Sequence, residues 1–73
     1  MDASHIKAIR KAMGMTQREL AYEISERIGG NADLQPLQIS RWELGKSKPT
    51  GVRKKALTKL AAELGIPLDR PPL

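Results

Sequence analysis

The 73-residue sequence contains no cysteine, one histidine (His5) and only two aromatic residues, Tyr22 and Trp42. The absence of cysteine excludes disulfides, thiolate catalysis and zinc sites with cysteine ligands, and a single histidine excludes a histidine-rich metal site. No apolar run approaches the ~20 residues that a membrane span needs, and the first residues lack the apolar stretch of a secretory signal. We therefore expect a soluble cytoplasmic protein with no membrane partner, metal or cofactor.

The length allows one small domain with an aliphatic core. A chain of this size buries only about 60% of its unfolded surface, which leaves little room for an enclosed pocket for a small molecule. The serines have no plausible base nearby, and the acidic residues show neither paired nor metal-ligand spacing. The sequence therefore predicts a binding module, with no catalytic residues.

Apolar residues at helical spacing predict an all-α fold without strands. The four helices are expected to cover residues 4–13, 17–28, 36–44 and about 52–64. Thr16 and Glu19 have the spacing of a capping box at the start of the second helix. Pro36 suits the first position of the third helix, because the N–H it lacks would have no partner there.

One face of each helix is expected to form the core. The inward residues are Ile6, Ile9 and Met13; Leu20, Ala21, Ile24 and Ile28; Ile39 and Trp42; and Leu57, Leu60, Ala61 and Leu64, with Val52 and Ala56 nearby. Ile66 and Leu68 are expected to fold back onto this core, and His5 to be solvated. The domain should therefore span residues 1–68, followed by an extended, proline-containing tail over residues 69–73.

The excess of positive over negative charge lies in the second half of the chain. The net charge of the protein is +5, and residues 1–33 are balanced. Residues 34–73 hold eight bases against three acids, and most of these bases lie between Arg41 and Lys59. A localised cationic stripe is typical of a protein that binds a polyanion. A solvent-exposed helix face can have the same composition. Charge alone therefore leaves two interpretations open, a nucleic-acid interface and an ordinary solvated surface.

Three blocks of sequence resemble phage-repressor and Cro-type (XRE-like, lambda-repressor-like) helix-turn-helix domains. Residues 10–21 (RKAMGMTQRELA) resemble their opening, 39–49 (ISRWELGKSKP) their recognition helix and exit loop, and 60–66 (LAAELGI) their fourth helix. The resemblance implies a compact four-helix domain that binds double-stranded DNA in a sequence-specific manner. It also implies a transcriptional regulator located on the nucleoid, expected to repress by occupying an operator.

The resemblance also implies roles for individual residues. Base contacts are expected from the start of the third helix: Gln35, Leu37, Gln38, Ser40 and Arg41, with Pro36 also at a base-reading position. Phosphate contacts are expected from Gln17, Lys46, Ser47, Lys48 and Arg53. Arg10 and Glu43 correspond to an ion pair between the first and third helices, and Trp42 to a core residue.

These roles suit the chemistry of the side chains. Arg41 can donate two hydrogen bonds to guanine, Leu37 can contact a thymine methyl group, and Gln38 can read adenine or bond the backbone. Ser40 can bond a base or a phosphate. The amide side chain of Gln17 and the N-terminal amides of its helix can hold a phosphate.

The sequence departs from the family pattern in two places. About eight extra residues separate Ala21 from Ile39, and we expect them to lengthen the second helix through residues 25–28 and the loop over residues 29–34. Residues 69–73 cannot form the fifth helix through which many relatives dimerise. Whether the protein forms a homodimer on DNA therefore stays open. An antitoxin-like or adaptor module that binds a protein is the alternative, and an exposed apolar patch around Leu34, Leu37 or Leu44 would favour it.

Overall fold

The computed structural model describes residues 1–29 and 34–72, which form four helices and no strand. The helices are α1 (Ala3–Ala12), α2 (Gln17–Arg27), α3 (Pro36–Glu43) and α4 (Gly51–Leu64). The predicted four-helix, all-α fold is confirmed, and α2 and α3 begin at the predicted residues. α1 is shifted by one residue towards the N-terminus, and α4 begins at Gly51 instead of Val52. None of these helices is both long enough and apolar enough to cross a lipid bilayer.

The helix starts follow from local side-chain chemistry. Asp2 caps α1, because its carboxylate accepts hydrogen bonds from the backbone N–H groups of Ser4 and His5. The predicted capping box opens α2: the N–H of Glu19 donates to Thr16 Oγ1 at 3.1 Å, and the N–H of Thr16 donates to Glu19 Oε1 at 2.9 Å. Two otherwise unpaired N–H groups of the first turn are satisfied in this way.

The core contains Trp42 and aliphatic side chains from all four helices. The buried members are Ile6, Ile9, Leu20, Ala21, Ile24, Leu34, Ile39, Trp42, Ala56, Leu57, Leu60 and Ala61. Ile66 and Leu68 pack against this cluster, as predicted, together with Met13, Met15 and Ile28. Val52 and Leu64 were expected near or on the inward stripe and instead are exposed, because they lie at the first and last turns of α4.

The prediction that His5 is solvated is wrong. His5 is only 3% exposed, and its Nε2 donates a hydrogen bond to the carbonyl oxygen of Arg70 at 2.7 Å. Its Nδ1 accepts from the backbone N–H of Asp2 at 3.1 Å. The ring therefore connects the first turn of α1 to the segment that follows α4, a contact across 65 positions that local spacing does not reveal.

The C-terminal half of α2 is held against α4. Arg27 donates two hydrogen bonds to Glu63 at 2.9 and 3.0 Å, and a third to Glu23 at 2.9 Å. These carboxylates raise the pKa of Arg27, and the guanidinium lowers the pKa of Glu63. α2 ends at Arg27, with Ile28 as its C-cap; the rest of the expected loop, residues 30–33, and the last residue of the tail lie outside the described residues.

The packing places α3 between two other helices. α3 contacts α1 and α2, and α4 contacts the same two helices. Gly45 ends α3 with a φ of 73°, a conformation that favours glycine. The N–H of Lys46 then donates to the carbonyl of Arg41 at 2.9 Å, which turns the chain sharply away from the helix.

Candidate nucleic-acid interface

The face of α3 opposite the core is open to solvent. Ile39 and Trp42 are buried, whereas Leu37, Arg41 and Leu44 are exposed at intervals of four and three residues. This spacing places the three exposed side chains along one stripe of the helix and its C-cap. Leu37 is 61% exposed, so the core does not account for this apolar side chain.

A cleft of about 240 Å³ lies beside this stripe and brings several predicted residues together. Among the residues that the structure describes, its lining consists of Leu34, Gln35, Leu37, Gln38, Arg41 and Arg53. These residues include two guanidinium groups and no carboxylate. Among the described residues, neither Arg41 nor Arg53 has an intramolecular ion-pair partner. The cleft therefore offers two unneutralised cations beside the exposed face of α3, an arrangement suited to an anionic ligand.

Gln38 and Ser47 lie within hydrogen-bonding distance of each other. Gln38 is half-buried, and its Nε2 donates to Ser47 Oγ at 3.0 Å. Gln38 was expected to contact a base or the DNA backbone, and Ser47 to contact a phosphate. The structure places the two side chains in one contact that joins α3 to the loop after it.

Arg10 and Glu43, expected to pair, form a two-point ion pair between α1 and α3. Arg10 Nε lies 2.6 Å from Glu43 Oε2, and Arg10 Nη2 lies 3.1 Å from Oε1. The third donor of Arg10, Nη1, bonds the carbonyl of Met15 at 3.2 Å. Gln17 Nε2 also donates to Glu43 Oε1, at 3.4 Å. α1 and the start of α2 are therefore both bound to the carboxylate at the end of α3.

The loop after α3 carries the remaining predicted cations. Lys46 and Lys48 are exposed, and Pro49 between this loop and α4 is buried. Lys48 lines a separate shallow cleft with Asp2, His5 and Arg70, so the structure does not bring it into the cleft of Arg41. Ser40 is half-buried on α3.

Arg18 belongs to this surface although the sequence reasoning did not select it. It is exposed on the first turn of α2 and lines a cleft with Tyr22, Gln35 and Pro36, where α3 begins. This position puts a further cation between the starts of α2 and α3. The sequence feature that could have identified Arg18 is its position directly after Gln17, at a helix N-terminus that attracts anions.

The geometry agrees with the comparison to known families. The sequence profile of the helix-turn-helix family matches residues 6–70. No curated protein and no solved structure matches the chain. The matched family consists of DNA-binding regulatory domains and is not an enzyme family. The chain belongs to the XRE-type, lambda-repressor-like helix-turn-helix family.

Proposed function

We propose that this DNA-binding regulator recognises a specific operator sequence and represses transcription by occupying it on the nucleoid. The observation that carries this proposal is the exposed face of α3, where Arg41 lies beside Arg53 in a cleft to which no described residue contributes a carboxylate. The core holds the opposite face of the same helix through Ile39 and Trp42. A rigid helix with an exposed cationic face is the element that enters the major groove in this class of domain.

We assign the recognition of DNA bases to the start and the exposed face of α3. Arg41 has an exposed guanidinium that can donate two hydrogen bonds to guanine O6 and N7, a contact worth about 1–3 kcal/mol of discrimination. Leu37 lies one turn earlier on the same face, where it can contact the methyl group of a thymine in a neighbouring base pair. Gln35 and Ser40 flank these two residues and add polar contacts.

Phosphate binding is assigned to the residues around this face. Gln17 and Arg18 stand at the N-terminus of α2, where the helix dipole and free N–H groups attract anions. Lys46, Lys48 and Arg53 provide cations on the other side of α3. These contacts fix the orientation of the domain and carry no sequence information. Two copies bound to half-sites about 34 Å apart would place both α3 helices on one face of the duplex.

The test begins with selection of bound sites from random duplexes, followed by titration of the best site over a salt series. Arg41→Ala should relax the preference at one base pair. Lys48→Ala should weaken binding to all sequences alike and reduce the slope of log K against log salt by about one. Lys11→Ala serves as the charge-matched control, because Lys11 lines a cleft on α1 with Ile66 and no α3 residue. Unchanged base preference in Arg41→Ala would contradict the assignment.

A protein-binding adaptor is the second candidate, and the exposed leucines of α3 favour it. Leu37 and Leu44 are both exposed on the stripe described above, whereas Leu34 is buried. An apolar stripe of this kind can dock onto a partner protein. The salt series separates the two candidates: phosphate neutralisation predicts a slope near −0.9 per contact, whereas absent or salt-independent duplex binding would favour the protein partner.

A further inference from the structure

The hydrogen bond between Gln38 and Ser47 connects the helix proposed to contact the bases with the loop proposed to contact the phosphates. Gln38 belongs to α3, which presents the exposed face, and Ser47 belongs to the loop that presents Lys46 and Lys48. Gln38 Nε2 donates to Ser47 Oγ at 3.0 Å, and both side chains are half-buried. The loop is also fixed at its start by the N–H of Lys46, which donates to the carbonyl of Arg41.

The direction of this bond determines what the serine can do. A hydroxyl group has one proton to donate and two lone pairs that accept. Because the amide of Gln38 occupies a lone pair of Ser47 Oγ, the hydroxyl proton of Ser47 remains available to an acceptor outside the protein. Donors in a chain polarise one another, so accepting from the amide makes the hydroxyl a better donor.

We propose that Gln38 is a positioning residue that orients the Ser47 hydroxyl as a donor to a DNA phosphate. This inference rests on the proposed function and changes the role of Gln38 within it. The side chain acts on the DNA through Ser47 and does not read a base. Arg41 and Leu37, on the exposed stripe of the same helix, remain the base contacts.

The environment of Gln38 supports this role over direct base reading. Leu37 is exposed at the start of α3, and Arg41 is exposed one turn later, whereas Gln38 is half-buried on the flank of the helix that faces the loop. To read adenine, the amide would need both its N–H and its carbonyl oxygen directed at one base edge. The bond to Ser47 directs the nitrogen end of the amide towards the loop instead.

The experiment compares Gln38→Met, Ser47→Ala, their combination and Ser47→Thr on the best duplex, on its single-base variants and over the salt series. Gln38→Met keeps the length of the side chain without an amide, and Ser47→Thr keeps the hydroxyl. Each of the two disruptive variants should weaken binding roughly tenfold, the size of one hydrogen bond to a charged group. The combination should weaken binding no further, because the two residues act as one unit.

Two readouts distinguish this role from the alternatives. The salt slope should stay unchanged in every variant, since a neutral hydroxyl releases no counterion, and all single-base duplexes should weaken alike. Ser47→Thr should bind like the unsubstituted protein. Urea unfolding followed by the fluorescence of Trp42 verifies that each variant is folded.

The inference is overturned if Gln38→Met relaxes the preference at a single base pair, or if the effects of Gln38→Met and Ser47→Ala add. Either result, obtained while the unsubstituted protein binds with the expected salt slope, leaves the proposed function intact. Absence of salt-dependent duplex binding by the unsubstituted protein would instead refute the proposed function, and this inference with it.

Discussion

Removing one partner of the ion pair between Arg10 and Glu43 should cost far more stability than removing one partner of an ordinary surface pair. Glu43 is 7% exposed and Arg10 is 18% exposed. The guanidinium uses two donors on the carboxylate and a third on the carbonyl of Met15. The hydrogen bonds that Arg10 donates to the Glu43 carboxylate raise the pKa of the guanidinium, and desolvation opposes this rise with a smaller effect.

Removing one partner leaves the other without its counterion in a nearly dry site. In Arg10→Met, Glu43 retains only Gln17 Nε2 at 3.4 Å. Breaking a fully buried pair costs about 3–5 kcal/mol, and the partial exposure of Arg10 puts the expected loss near the lower end, about 3 kcal/mol. A domain of this length has a total stability of about 4–11 kcal/mol, and each kcal/mol corresponds to about 4–8 °C in Tm. The variant should thus lose a large part of its stability.

Urea unfolding measures this loss, because Trp42 is the single tryptophan and is buried. Arg18→Met is the matched control: Arg18 is exposed, so its replacement should change the free energy of unfolding by less than about 0.5 kcal/mol. Replacing both partners, in Arg10→Met with Glu43→Leu, should recover most of the loss, because no charge is left unpaired. A loss below about 1 kcal/mol in Arg10→Met, the range of surface pairs, would refute this reasoning.

Two further predictions concern contacts that hold the ends of the helices. The hydrogen bonds from Arg27 lower the pKa of Glu63 below its usual value of 4.5 in the folded protein. Their stabilising effect is therefore present above that pH and disappears as the pH falls through the folded pKa. Glu63→Gln should thus flatten the pH dependence of the urea midpoint below about pH 5. Separately, His5→Ala removes the hydrogen bond to the carbonyl of Arg70 and should lower the free energy of unfolding by about 1–2 kcal/mol. Lys7 is exposed on the same helix, so the control Lys7→Ala should change the free energy of unfolding by less than about 0.5 kcal/mol in the same urea titration.

Features that depend on neighbouring residues could be predicted from the sequence. The spacing of Thr16 and Glu19 located the start of α2, and Pro36 located the start of α3. Both signals act within one helical turn, where contacts between side chain and backbone do not depend on the rest of the chain. The burial of Ile39 and Trp42 was predictable for a similar reason, because helical periodicity alone determines which residues share a face.

Residue spacing missed features that depend on distant partners, and the Arg10–Glu43 pair was expected only from the family resemblance. Nothing near His5 in the sequence indicates that the carbonyl of Arg70 will lie beside its ring, so a polar residue in a first turn was expected to be solvated. Val52 fits the helical stripe but lies on the first turn of α4, where its side chain remains exposed. The contact of Gln38 with Ser47 likewise depends on how the loop returns to α3, which the sharp turn after Gly45 determines.

The position of α3 is determined by contacts made on the helix itself and just before it. Leu34 enters the core directly before α3, Trp42 is buried within it, and Glu43 is held by Arg10 of α1. Residues 28–35 connect α2 to α3, a longer connection than the ordinary turn of 3–4 residues in this motif. Doubling the length of a loop costs only ~0.6 kcal/mol of closure entropy, which is small against the core burial and the ion pair. We therefore expect that a change in the length of this connection costs little stability.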